Sequence, residues 1–194
     1  MTAVLGVDPS LTSTGLAEFF LEPGELPELS FCAVKSTGKA TDTVADTAGR
    51  IRYLASQFCD WSLLGEIGYD LAVVEGPSYA SKGGKADERA GLRWAYIDML
   101  TVVGIPIAIV SPSARAKYAT GKGGADKDAV IEAVNRLYGY LLPEPLGKRD
   151  NDVADAIVPA AMGMRYLGFP IEAEELSPAQ LEAMVKVAWP EVDT

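Results

Sequence analysis

The chain has 194 residues, 48% apolar and 23% charged, the composition of one ordinary globular domain. It carries 17 Lys and Arg against 27 Asp and Glu, a net charge of −10, and it has no histidine. A Ser-His-Asp triad, a Cys-His dyad and a His-ligated zinc site are therefore excluded, and any catalysis rests on carboxylates, lysines, hydroxyls or metal ions.

Three strands are expected first: Ala3–Val7, Thr14–Leu21 and Leu29–Lys35, joined by short connections as an antiparallel meander. The turn-rich segment Glu22–Pro27 separates the second from the third. Apolar spacing then predicts a helix over Thr43–Leu64, with Val44, Ala48, Ile51, Leu54, Ala55 and Phe58 on one face. Leu71–Glu75 reads as a compact strand ending in a carboxylate. A loop with Gly76-Pro77 and Gly83-Gly84 leads to a helix at Ala86–Val103. Ile105–Val110 reads as a fifth strand, and Ser111-Pro112 opens a short helix with proline in its first turn. Lys127–Tyr138 and Asp152–Leu167 read as two more helices, and Ser177–Val187 as a last, peripheral one. The order implies an α/β fold: one mixed five-stranded sheet with helices on both faces, its sites at the carboxyl ends of strands.

Cys32 and Cys59 form no C-x-x-C pair, so two free thiols in a reducing compartment are expected. The opening residues lack the basic and apolar regions of a secretory leader. The longest apolar stretch, 102–110, falls far short of the ~18 residues that a membrane span needs. The expectation is a cytoplasmic protein with no membrane partner. Charge is uneven: residues 78–128 carry eight Lys or Arg against five Asp or Glu, a basic band within an acidic chain. The acidic total argues against tight non-specific binding to nucleic acid, and the band keeps such a partner open.

Four carboxylates hold suggestive places. Asp8 ends the first strand and Glu75 the fourth, while Asp152 and Asp155 stand three apart at a helix start, on one face. Together they would form an anionic pocket that repulsion makes costly unless cations fill it. Hard oxygen donors select Mg²⁺ or Mn²⁺, and two such ions about 4 Å apart suit in-line attack of water on a phosphodiester. The plain alternative is that the strand-end acids are turn residues and that Asp150 or Asp152 only caps its helix. Lys117, Lys122 and Lys127 lie in or beside Thr120-Gly-Lys-Gly-Gly-Ala-Asp126, which suits a phosphate-contacting loop or an ordinary exposed one. It does not match a P-loop. Tyr79 lies among Lys82, Lys85, Arg89 and Arg93, where an aromatic ring among cations can stack on an unpaired base; the alternative is a surface tyrosine.

These motifs resemble the RuvC family of Holliday junction resolvases. The resemblance rests on Leu5-Gly-Val-Asp8-Pro-Ser-Leu-Thr-Ser-Thr14-Gly15, then Val73-Val-Glu75, Ser111-Pro112 with Lys117, Thr120-Gly121-x-Gly123 with Ala125-x-Lys127, and Asp152-x-x-Asp155-Ala156. Order and spacing agree over about residues 3–165. The resemblance implies a ribonuclease H-like fold and a homodimeric, metal-dependent endonuclease that nicks four-way DNA junctions symmetrically. Its four-acid site would be Asp8, Glu75, Asp152 and Asp155, holding two Mg²⁺ or Mn²⁺ ions. Lys127 would neutralise the scissile phosphate or assist the nucleophile. Lys117, Lys122, Tyr79, Lys82, Lys85, Arg89 and Arg93 would meet the DNA, and the helix Ala86–Val103 is the expected dimer interface.

The chain departs from the family in four respects: Ser10 replaces the glycine usual after Asp-Pro, Glu22–Pro27 lengthens a hairpin, the tail is acidic, and the net charge is negative. Small divergent members of this kind occur in phages. The expected division is a nuclease domain over 1–168 and an acidic extension with a short helix over 169–194. Two alternatives remain open: a non-catalytic module that binds branched DNA on the same scaffold, and an actin-like nucleotide binder, for which the chain is short.

Overall fold

The computed structural model describes residues 1–77 and 85–192. Five strands form one sheet: β1 (Thr2–Asp8), β2 (Ser13–Leu21), β3 (Glu28–Lys35), β4 (Leu71–Glu75) and β5 (Ile107–Val110). Their order is β3-β2-β1-β4-β5. The meander β1-β2-β3 is antiparallel, and β4 and β5 add parallel to β1. Six helices complete the chain: α1 (Val44–Ser62), α2 (Ala86–Val102), α3 (Pro112–Thr120), α4 (Lys127–Tyr138), α5 (Asn151–Tyr166) and α6 (Pro178–Val185). The element order is the expected one, and both faces of the sheet are covered.

Strand side chains alternate between faces. Ala3, Leu5 and Val7 of β1, with Ala72 and Val74 of β4, pack against Leu54 and Phe58 of α1 and Leu92 and Tyr96 of α2. Val4, with Leu71 and Val73, packs against α5 and the helices beyond it. The same alternation turns Asp8 and Glu75, at the strand ends, toward the α5 side.

Helix starts follow local chemistry. The Thr43 side chain accepts from the Asp46 N–H while the Asp46 carboxylate accepts from the Thr43 N–H, a reciprocal cap. Ser111 caps α3, with Pro112 in the first turn. Two expectations fail at element ends. Val44 is 89% exposed and Ala48 is exposed, because nothing among the described residues covers the N-terminal part of α1; burial begins with Leu54, Ala55 and Phe58. Strand β5 begins at Ile107, since Pro106 has no N–H to give the ladder.

Residues 169–192 fold back over α3, α4 and α5. Ile171, Leu176, Ala183 and Val187 join the α5-side core. The Glu172 side chain is fully buried there, accepting from Tyr118 and Arg165, and Arg165 Nε also donates to the Tyr118 hydroxyl at 2.9 Å. Burial and the neighbouring Glu172 carboxylate push the Tyr118 hydroxyl well up. Gln180 Nε2 donates to the carbonyls of Tyr118 and Ala119, the last turn of α3, at 3.0 and 3.1 Å. Among the described residues no helix is long and apolar enough to cross a membrane.

Candidate active site

The carboxyl ends of β1 and β4 and the start of α5 meet at one place. Two glycines let the helix come that close. A Cβ on Gly15 of β2 would overlap the Asp152 carbonyl oxygen, and one on Gly6 of β1 would overlap that of Ala156. With those side chains absent, Asp152 and Asp155 are carried down onto Asp8 and Glu75.

The acids feel one another. Burial raises the Asp8 carboxyl well above the usual carboxylate range, and repulsion from Glu75, Asp155 and Asp152 adds to it, against a lowering pull from Arg115. Burial pushes Glu75 up to about 7. Arg115 and Lys127 pull it down, and Asp155 adds repulsion. Asp155, 7% exposed, is also raised by burial; Arg115 and then Lys127 oppose the rise. Lys127 thus acts on both acids from the first turn of α4. Asp126, just before it, caps that helix by accepting from the Ala129 N–H at 2.9 Å.

Arg115 was not among the residues expected in the site. It projects from α3, 9% exposed, with its Nε against Glu75 Oε2 and its Nη1 against Asp155 Oδ1. Its own charge is held more firmly by Glu75, Asp155 and Asp8, which outweigh the cost of burial. The local sequence, Ser113-Ala-Arg-Ala116, shows only that small residues flank the arginine; once buried, an arginine needs carboxylates, and those come from other elements.

The donor set fits a hard divalent cation. All four groups are carboxylates; Asp8, Glu75 and Asp155 are desolvated and repel one another, Asp152 stands half-buried beside them, and the site already holds one cation in its guanidinium. Ser13 Oγ, on the same face of β2 as Gly15, is buried without a hydrogen-bond partner among the described residues. As the side chains stand, no three acids among the described residues are gathered closely enough to share one ion. Glu75 and Asp155 are engaged by Arg115 instead. The plain alternative for Asp150 is not realised as a cap: its carboxylate closes the preceding turn by accepting from the Gly147 N–H at 2.8 Å.

The expected nucleic-acid contacts are scattered. Lys85 precedes α2; Arg89, in its first turn, and Arg93, one turn on, are half-buried. Lys122 is exposed in the loop between α3 and α4. Lys117 turns the other way, onto Glu182 of α6 at 2.6 Å. Tyr79 and Lys82 lie outside the described residues.

No family model matches the chain. A crossover junction endodeoxyribonuclease RuvC from Parafrankia sp. (strain EAN1pec) is 33% identical over 159 residues, covering 79% of this chain and 81% of that protein. The protein of the same name from Paenarthrobacter aurescens (strain TC1) is 27% identical over 177 residues, 91% of this chain and 90% of that one. Among solved structures, Thermus thermophilus RuvC in complex with a Holliday junction substrate superposes with a TM-score of 0.64 at 19% identity, covering 89% of this chain and 99% of that one.

Proposed function

Because the chain belongs to the RuvC family, we propose that it is a divalent-metal-dependent, structure-selective DNA endonuclease acting on four-way junctions, with Asp8, Glu75, Asp152 and Asp155 as its acidic centre. One observation carries the reading to these residues: the desolvated carboxylates Asp8, Glu75 and Asp155 from β1, β4 and α5 repel one another, with the buried Arg115 guanidinium as counter-ion.

Mg²⁺ or Mn²⁺, two ions per site, would lower the pKa of the attacking water and neutralise charge on the phosphodiester. Asp8 and Glu75 hold their side chains toward the α5 face, ready to bind. Asp152 and Asp155 close the site from the helix. Lys127 neutralises charge on the scissile phosphate from α4. Arg115 withdraws from Glu75 and Asp155 when those oxygens are needed elsewhere. Two strands cut symmetrically need two sites, which supports a two-fold dimer. Helix α2 exposes Trp94 (60%) and Val102 (78%), apolar surface suited to that interface. The chemistry on DNA supports a cytoplasmic setting.

The test is cleavage of a labelled four-way junction in Mg²⁺ and in Mn²⁺, beside Asp8→Asn and a linear duplex. Paired nicks confined to the junction, and lost in the variant, are expected. No cleavage in either metal would overturn the nuclease reading. Tight junction binding without cleavage would establish the second reading, a non-catalytic branched-DNA module, which the guanidinium seated between Glu75 and Asp155 favours. The actin-like alternative needs two lobes, and the described residues build one sheet.

A further inference from the structure

A second polar recess opens across the β1–β2 turn from the acids. It is a cavity of about 290 Å³ lined by Ser10, Leu11, Thr12, Gly38, Arg50, Lys85 and Arg89. Three of these side chains are cationic and two carry hydroxyls. In a chain of net charge −10 this is an uncommon concentration of positive charge.

The recess is built rather than accidental. Thr14 is fully buried and ties the turn from inside: its hydroxyl donates to the Ser10 carbonyl at 2.8 Å and lies 3.1 Å from the Tyr96 hydroxyl of α2. The Ser36 N–H donates to the Thr12 carbonyl at 3.0 Å. Arg50, on α1, is pinned by two of its nitrogens. Nε donates to Ser36 Oγ at 2.8 Å, and Nη2 donates to the carbonyls of Leu11 and Ser36 at 2.5 and 3.3 Å. Nη1 lies against Gly38, where a Cβ would collide with it. The guanidinium is therefore held in one orientation before any ligand arrives. Asp42 Oδ2 borders the same spot beside Gly38, so one carboxylate stands near the guanidinium; it is engaged by the Lys39 N–H at 2.7 Å. Lys85, exposed, completes the opposite wall from a left-handed backbone position (φ 68°).

We propose that this recess binds a backbone phosphodiester of the DNA strand that runs over the acidic centre, one or two nucleotides from the cut bond. The inference rests on the nuclease reading and deepens it. The volume admits one phosphate group and several waters, since a water's share of liquid is about 30 Å³. A fixed guanidinium, an ammonium and two hydroxyls are the donors that a phosphate takes, and such contacts set register on the strand rather than read sequence. Thr14 faces α2 while Asp8 faces α5, so the recess and the acids flank opposite sides of the same turn. A strand lying across that turn meets both.

The experiment measures binding of a four-way junction in a chelating buffer, where no strand is cut. Single uncharged methylphosphonates replace each phosphate within three nucleotides of the cut bond. Wild type, Lys85→Gln and Gly38→Ala are compared; the last keeps the charge and displaces the Arg50 guanidinium. We expect one position at which the neutral linkage weakens wild-type binding about tenfold. Both variants bind the unmodified junction about tenfold more weakly and lose nothing further at that position, the signature of a shared contact. The salt dependence of binding falls by about one phosphate contact in Lys85→Gln. Additive losses at every position, or variants that bind as wild type does, would overturn the recess while leaving the nuclease reading intact. A wild type that binds no DNA would overturn both.

Discussion

Arg115 answers a charge problem that three acids create. Its guanidinium is about a tenth exposed and touches Glu75 and Asp155. Replacing it by leucine strands two buried carboxylates, so the metal-free protein should lose about 3 kcal/mol, read by denaturant unfolding in a chelator. The same change removes a competitor for those oxygens. Mn²⁺ should then raise the unfolding temperature of Arg115→Leu more than that of wild type. Equal shifts would show that guanidinium and metal ion do not contend for the same place. The acids also set a pH dependence. Glu75 titrates near 7 when folded and near 4.3 when unfolded, so between those values the folded state holds more protons. Metal-free stability should therefore fall as pH rises from about 4.5 to 7, and Glu75→Gln should flatten that fall. A wild type whose unfolding temperature rises across this window would contradict the assignment. The strand-end acids were legible in the sequence because β-alternation and the helical i, i+3 spacing fix which way they face. Arg115 was not nominated, because its partners come from β4 and α5, and no local spacing records a contact 40 residues away in sequence.

Helix α5 positions half of the acidic centre, and its seat is made of missing side chains. In Gly15→Ala the added methyl meets a backbone carbonyl rather than a flexible side chain. The helix start must move, at a cost of about 2 kcal/mol. Nicking activity should fall further than stability does, measured at a temperature where the variant stays folded, because Asp152 moves with its backbone. Unchanged activity would mean that Asp152 has no part in the chemistry. Helix α3 depends on a cap: Ser111→Ala should cost about 1 kcal/mol, seen as a lower unfolding midpoint. Element types and order could be read from periodicity, turn residues and caps. Helices α1, α2, α5 and α6 moved by one or two residues at their ends, where fraying and local hydrogen bonds decide. The exposure of Val44 and Ala48 escaped that reading, since periodicity marks an apolar stripe and not how much of it is covered.

At the scale of the molecule, the tail is bound into the same core as the site. Glu172 gathers Tyr118 and Arg165, Gln180 closes the last turn of α3, and the Trp189 ring stacks on Tyr166 at 4.5 Å. Composition marked residues 169–194 as an acidic extension, and charge alone carried no record of these buried contacts. Deleting them should expose Ile171, Leu176 and Val187 and leave the Tyr118 and Arg165 groups unsatisfied. The expected result is a large drop in unfolding temperature and poor solubility. A truncated chain of 168 residues that unfolds as wild type does would show that the nuclease domain stands alone.

The seat of α5 on Gly6 and Gly15 has a consequence in time. Strand β1 is made before the other elements described, and the helix that completes its acidic centre emerges some 140 residues later. At typical translation rates of about 5–20 residues per second, the ribosome carries the early meander for roughly 7–28 seconds before α5 can dock. Contacts of such long sequence range close late in folding. An unfinished chain therefore carries Asp8 and Glu75 without their helical partners. A stalled nascent chain should bind no Mn²⁺ at this centre until residue 155 and the turn beyond it have cleared the exit tunnel, so the power to cut DNA arrives only once α5 has docked.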